Sequence, residues 1–179
     1  MQHTLIALVE DKPGVLNRVA SLFRRRGFNI DSLTVGHTDV DGISRMTIVM
    51  NSDNVSADRV TAYLYKLVNV IQVEDVTSRP TVRRDLAMIK VAVSANNRTE
   101  IIQLVDVFRA RIVDVANDSV IIEITGDEEK IDGFVDVLRP YGILEMVRTG
   151  LVSMLRGSVS NGNGYHHLGA NGKLVNTYA

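Results

Sequence analysis

The sequence predicts an α+β protein in which a unit of six elements occurs twice. Short apolar runs of strand length alternate with segments whose apolar residues recur at helical spacing. The order strand, helix, strand, strand, helix, strand is found over residues 1–77 and again over residues 86–156. Because such elements must bury their apolar faces against one another, we expect each unit to place its helices on one face of an antiparallel sheet.

The first unit begins with the apolar run Leu5–Val9, which the polar turn Glu10–Gly14 closes. A helix is predicted next, because apolar residues recur at helical spacing from Val15 onward. The basic residues Arg24–Arg26 favour its last turn, and Gly27 is typical of a helix C-terminus.

The rest of the first unit is a hairpin, a second helix and a closing strand. The strands Asn29–Val35 and Ile43–Met50 are joined by Asp39–Gly42, in which the dipeptide Asp41-Gly42 is a strong signal for a hairpin. Ser56 is placed to cap the second helix, and the closing strand extends over Val70–Val76. The apolar face predicted for the second helix consists of Val60, Leu64, Leu67 and Val68.

Residues 78–85 are polar, contain Pro80 and are interpreted as a linker. The second unit, residues 86–156, repeats the order of the first, with Asp127 placed to cap its last helix. Both units therefore have the order of a ferredoxin-like fold, βαββαβ. Residues 157–179 are rich in Gly and Asn, so we expect a flexible tail.

Composition excludes several classes of protein. The chain of 179 residues has 20 Lys and Arg, 21 Asp and Glu and no Cys. The balanced charge argues against a nucleic-acid backbone as the main partner, and the absence of Cys excludes disulfides and thiolate chemistry. Glu10 and Asp11 interrupt the first apolar run too early for a signal peptide, and no apolar stretch is long enough to span a membrane. We therefore expect a cytoplasmic protein.

Motifs for catalysis are missing from the sequence. There is no phosphate-binding loop, and Asp41-Gly42 and Asp132-Gly133 lack the preceding glycine that a thiamine-diphosphate motif needs. The four His residues show no ligand spacing on a predicted helix, so no metal is assigned. Glu128-Glu129 is interpreted as a stabilising pair at a helix N-terminus. The sequence therefore predicts no catalytic residue and no cofactor in this chain.

The turn Glu10–Gly14 with Val15 and Leu16 is the candidate binding segment. The first amides of a helix have no partner inside the helix, and together with the helix dipole they favour a carboxylate. Gly14 keeps side-chain bulk away from them. Asp11 either caps the helix, which spacing alone favours, or receives the ammonium group of the same ligand. The second alternative would suit a free amino acid.

These residues resemble a known family. The six-element unit with its Asp-x-Pro-Gly-Val-Leu turn is similar to an ACT domain, an amino-acid-sensing module. Longer strings resemble the regulatory small subunits of acetolactate synthase, also called acetohydroxyacid synthase, and the resemblance covers about residues 1–156. These strings are Arg26–Val35, Ser44–Ile48, Phe108–Val115 and Arg148–Gly150.

The resemblance implies an N-terminal ACT domain, a second ACT-like domain and a non-catalytic, dimeric subunit. Such a subunit activates a catalytic partner that binds thiamine diphosphate, FAD and magnesium, and it makes the partner sensitive to valine or another branched-chain amino acid. In this family the effector lies between two first units. The resemblance therefore implies a site formed by Asp11, Gly14, Val15 and Leu16 of one protomer with Asn29 and Ile30 of the other.

Three alternatives can be compared with this interpretation. The strongest is a free-standing amino-acid sensor that controls another enzyme, which only the identity of the partner separates from the regulatory subunit. An enzyme of ferredoxin-like fold would need a nucleophile or an acid/base pair, and none is visible. An RNA-binding module would need aromatic residues on its central strands, whereas aromatics are 5% of this chain.

Overall fold

The computed structural model describes residues 2–51, 57–157, 166–168 and 174–176. The chain divides into two compact units, of which the first comprises Met1–Val82 with Ser153–Ala179 and the second comprises Arg83–Val152. Each contains the predicted βαββαβ order with helices packed on an antiparallel sheet. The predicted ferredoxin-like α+β class is therefore confirmed.

The first unit has four strands and two helices, and its strand order is β2-β3-β1-β4. Alternate residues of β1, namely Leu5, Ala7 and Val9, enter the core beneath the helices. This alternation follows from the two-residue period of a strand. The elements are β1 (Gln2–Glu10), α1 (Val15–Arg26), β2 (Asn29–His37), β3 (Ile43–Asn51), α2 (Ala57–Leu64) and β4 (Val70–Asp75).

Local sequence signals explain where α1 and the hairpin end. Gly27 has φ 70° and its amide donates to the carbonyls at the end of α1, as expected for a glycine C-cap. Gly42 has φ 75° in the turn between β2 and β3, which confirms the hairpin prediction. The prediction for α2 was wrong at its end: the helix stops at Leu64, and the side chain of Val68 is 93% exposed.

The second unit repeats this arrangement with strand order β6-β7-β5-β8. Asp127 caps α4 as predicted, because its carboxylate accepts a hydrogen bond from the Lys130 amide at 3.0 Å. The core combines Ile89 and Ile122 of the sheet with Phe134 of α4. The elements are β5 (Thr81–Ala92), α3 (Arg98–Val107), β6 (Arg111–Val115), β7 (Ser119–Gly126), α4 (Glu128–Leu138) and β8 (Ile143–Arg148), with a 3-10 turn at Arg139–Tyr141.

The boundaries between the units differ from the prediction. β5 already begins at Thr81, so part of the predicted linker 78–85 is strand. A further strand, β9 (Val152–Leu155), pairs with β5, and the Arg156 amide donates to the Pro80 carbonyl at 2.9 Å. Residues 153–156, predicted to belong to the second unit, are thereby grouped with the first. The charged residues 83–85 suggested a linker, but Asp85 is buried in the strand, where its carboxylate accepts a hydrogen bond from Arg148 Nε at 2.9 Å.

The predicted flexible tail, residues 157–179, lies mostly outside the described residues. Within it, β10 (His166–Leu168) pairs antiparallel with β11 (Leu174–Asn176). The helices of the described segments, residues 2–51 and 57–157, include none long and apolar enough to cross a membrane.

Candidate functional site

The candidate site is the turn between β1 and α1, where the helix opens on a glycine. Gly14 is the N-cap, with φ 82° in the left-handed region that favours glycine. Among the described residues, nothing lies within 4 Å of the position that a Cβ would take there. The first turn of α1 contains no acidic residue. The positive end of this helix dipole is therefore open and has no carboxylate in its own first turn.

Two amides at this opening are available to a ligand. The Val15 amide donates to the Lys12 carbonyl at 3.3 Å, and the Arg18 amide donates to the Gly14 carbonyl at 3.0 Å. Neither the Leu16 amide nor the Asn17 amide has an acceptor in the part of the chain that the structure describes. The free donors are therefore those of Leu16 and Asn17. Sequence reasoning had placed the pair at Val15 and Leu16.

Asp11 does not cap α1, so the interpretation that spacing favoured is wrong. Its carboxylate lies 3.2 Å from Nδ1 of His37, at the end of β2, and its backbone amide donates to the Gly42 carbonyl at 2.7 Å. The Gly14 cap has no side-chain hydrogen bond. Asp11 is held by the β2–β3 hairpin and remains partly exposed, so its carboxylate can accept from an ammonium group.

Asn29 and Ile30 lie at the other end of α1 within the same chain. They open β2, which follows the last turn of the helix. Since a helix rises about 1.5 Å per residue, the 12 residues of α1 separate them from Gly14 by about 18 Å. The Asn29 side-chain amide donates to Asp31 at 2.7 Å, and Ile30 packs against the core. One copy of the chain therefore does not bring the two predicted halves of the site together.

Polar side chains behind the opening were missed by sequence reasoning. Asn69, just before β4, contacts both Glu10 and Arg18. The Asn69 hydrogen bond, and then Lys12, lower the pKa of Glu10 below its ordinary value. The free backbone amide of Asn17 was predictable, because the first turn of a helix leaves several amides without a partner. Asn69 and His37 carry no local signal, because their partners are distant in sequence.

The described part of the chain offers no cluster of three or more metal-ligating side chains. The chemistry available at the opening is instead hydrogen bonding: two backbone donors, one carboxylate acceptor and the half-exposed apolar side chain of Leu16. This set is complementary to a carboxylate, an ammonium group and an aliphatic side chain.

Comparison with known proteins places both units in one family. A family model described as an AHAS small subunit-like ACT domain matches residues 5–72, and one described as the small subunit of acetolactate synthase matches residues 84–157. A probable acetolactate synthase small subunit of Archaeoglobus fulgidus is 54% identical over 158 residues, which are 88% of this chain and 99% of that protein.

Two further relatives agree. The acetolactate synthase small subunit of Mycobacterium leprae is 49% identical over 155 residues, or 87% of this chain and 92% of that protein. The crystal structure of the acetolactate synthase small subunit from Thermotoga maritima superposes with a TM-score of 0.83 at 40% identity, covering 89% of this chain and 99% of that one. The chain therefore belongs to the family of acetolactate synthase small subunits.

Proposed function

We propose that this chain is the regulatory subunit of an acetolactate synthase, which activates a catalytic subunit and makes it sensitive to feedback inhibition by valine. Family membership supports the first part, since close relatives along nearly the whole chain are named as small subunits of that enzyme. In this proposal the catalytic subunit binds thiamine diphosphate, FAD and magnesium. This chain contributes regulation and no catalytic residue.

The opening of α1 is the proposed effector site. Its amides at Leu16 and Asn17 would receive the carboxylate of valine, and Asp11 would accept from the ammonium group. The side chain of Leu16 is 46% exposed, so it offers an apolar contact to a branched aliphatic group. The single observation that carries this assignment is the Gly14 cap. It leaves open space at the positive end of a helix whose first turn contains no acidic residue.

A homodimer would complete the site. β2 is an edge strand of the first sheet, and an edge strand carries unpaired backbone groups that a second copy can cover. Pairing two copies about a two-fold axis would bring Asn29 and Ile30 of one chain to the Gly14 opening of the other. This would explain why the two halves lie at opposite ends of α1.

Reconstitution tests the proposal. The purified chain should produce no acetolactate from pyruvate by itself, should raise the turnover of a purified acetolactate synthase catalytic subunit, and should make that turnover sensitive to valine. Synthase activity in a preparation shown to lack the catalytic subunit would contradict it.

The same experiment separates the alternative, a free-standing ACT-domain sensor. A sensor of another enzyme would bind valine in calorimetry and leave the turnover of the catalytic subunit unchanged. Light scattering with valine present provides an independent check of the shared site, because a chain that stays monomeric at micromolar concentration cannot supply both halves.

A further inference from the structure

A chain of polar contacts lies behind the α1 opening and centres on Asn69, which is 7% exposed. Its Nδ2 donates to Glu10 Oε2 at 2.5 Å, and its Oδ1 accepts from Nη1 of Arg18. The backbone carbonyl of Asn69 also accepts from the Glu10 amide at 2.9 Å. Glu10 Oε2 lies 3.1 Å from Nζ of Lys12. One buried amide side chain thus uses both its donor and its acceptor on charged partners.

These contacts join β1, the turn and α1 to the segment before β4. Glu10 ends β1, Lys12 belongs to the turn, and Asn69 precedes β4. Arg18 is bound twice: its backbone amide donates to the Gly14 carbonyl at 3.0 Å, and its guanidinium donates to Asn69. The first turn of α1 is therefore tied to the end of β1 through the Asn69 side chain.

The second unit shows that the fold does not require this side chain. There the Ala92 amide, at the end of β5, donates to the Gly142 carbonyl at 2.9 Å, just before β8. This backbone bond corresponds to the one between Glu10 and Asn69. In both units the pairing of the two strands shifts register just before the bonded residue. Gly142 has no side chain, so the second unit closes this corner without an amide link. The common fold therefore does not depend on this link, which is particular to the first unit.

We propose that Asn69 is a positioning residue for the effector site, which holds the free amides of Leu16 and Asn17 in place by linking Arg18 to Glu10. The inference rests on the proposed function, since it assumes that the α1 opening binds an amino acid. Without the link, the first turn of α1 could shift relative to β1 while the core stays packed. Affinity for valine should then fall, because binding would have to order a turn that is no longer held in place. Most of the folding stability should remain.

The test uses the full chain with Asn69→Leu, which keeps the side-chain size and removes both hydrogen bonds. We expect affinity for valine in calorimetry to fall about tenfold, which corresponds to about 1.4 kcal/mol. Hydrogen exchange of the Arg18 amide should accelerate by a similar factor without ligand, because its bond to Gly14 closes the turn. Thr77→Val is the control: Thr77 Oγ1 accepts from the Thr4 amide at 3.0 Å toward the opposite end of β1. This control should leave affinity for valine unchanged.

A double-mutant cycle with Arg18→Met tests whether the two residues act through one link. If they do, the double variant should lose about tenfold in affinity, like each single variant; independent contributions would multiply to about a hundredfold and contradict the proposal. Unchanged valine affinity together with unchanged Arg18 exchange in Asn69→Leu would overturn it. If the unaltered chain binds no branched-chain amino acid, the proposed function fails instead, and the exchange of the Arg18 amide still decides whether Asn69 holds the turn.

Discussion

The two units of this chain share one order of elements and one strand order, yet they begin their first helix differently. Both first helices leave two amides without an acceptor among the described residues: Leu16 and Asn17 in α1, Thr99 and Glu100 in α3. Free amides are therefore common to the two units. The difference that matters lies in what surrounds them.

In α3 the positive end of the helix carries an acidic residue and a cap residue with a side chain. Glu100 places a carboxylate in the first turn, and the cap residue is Asn97, whose side chain accepts from the Ser94 amide at 2.6 Å. The Arg98 guanidinium donates to the carbonyls of the β6–β7 turn. In α1 the cap is Gly14 and the first turn has no acid. The comparison indicates that a missing side chain and a missing charge, rather than the fold, create the candidate site.

The largest expected effect comes from giving α1 the charge that α3 already has. Gly14→Asp sets a carboxylate against that of valine; two like charges about 4 Å apart cost about 1 kcal/mol in water and about 4 kcal/mol at an effective dielectric of about 20. Valine affinity in calorimetry should fall between about fivefold and nearly a thousandfold. Activation of the catalytic subunit should persist.

Gly14→Asn is the matched control for that variant. Both side chains must adopt the left-handed conformation at φ 82°, which costs about 1–2 kcal/mol of stability, although Asn and Asp tolerate it better than other residues. Only Asp adds charge. Equal losses of affinity in the two variants would show that shape, and not charge, defines the opening.

A smaller effect is expected from removing the N-cap of a helix in the second unit. Asp127→Ala removes the cap of α4 and should lower the free energy of unfolding by about 0.5–2 kcal/mol in urea denaturation. Asp127→Asn keeps a capping oxygen and should lose much less. Neither variant should change the affinity for valine, so a weakened affinity would mean that the second unit takes part in binding.

The smallest effect is expected at Glu10, whose side chain contacts Asn69. The corresponding position in the second unit is Ala92, which has no charge. Its pKa is lowered in the folded chain, chiefly by the Asn69 hydrogen bond, so the stability that it contributes is present above the unfolded pKa near 4.5. That contribution is lost as pH falls through the lower folded value. In urea denaturation between pH 7 and pH 3, the stability difference between the unaltered chain and Glu10→Gln should shrink on acidification. A difference independent of pH would contradict the assignment.

Much of the fold was predictable because its signals are local. Asp41-Gly42 forms the predicted hairpin turn, Gly27 ends α1 and Asp127 caps α4. The start of β5 at Thr81 was missed, since its charged residues have the composition of a linker while the strand is defined by pairing with β9. Pairing partners separated by many residues leave no local pattern.

The candidate site was predictable only in part for the same reason. Gly14 predicted a helix N-terminus free of side-chain bulk, and in the structure Gly14 is the N-cap of α1. The neighbours of the opening are set by tertiary contacts: Asp11 meets His37 because the β2–β3 hairpin returns to the turn, and Asn69 meets Arg18 across 51 residues. Spacing within the turn contains no information about His37, so it favoured a capping role for Asp11.

The most direct test of the comparison between α1 and α3 is a valine titration followed by amide resonances of the full chain. Valine should shift the Leu16 and Asn17 amide signals and slow their hydrogen exchange, because both would donate to the ligand carboxylate. The Thr99 and Glu100 amides, equally free of acceptors among the described residues but beside the carboxylate of Glu100, should not respond. Equal responses at both helices, or none at α1, would contradict the claim that Gly14 and the missing acidic residue make the site.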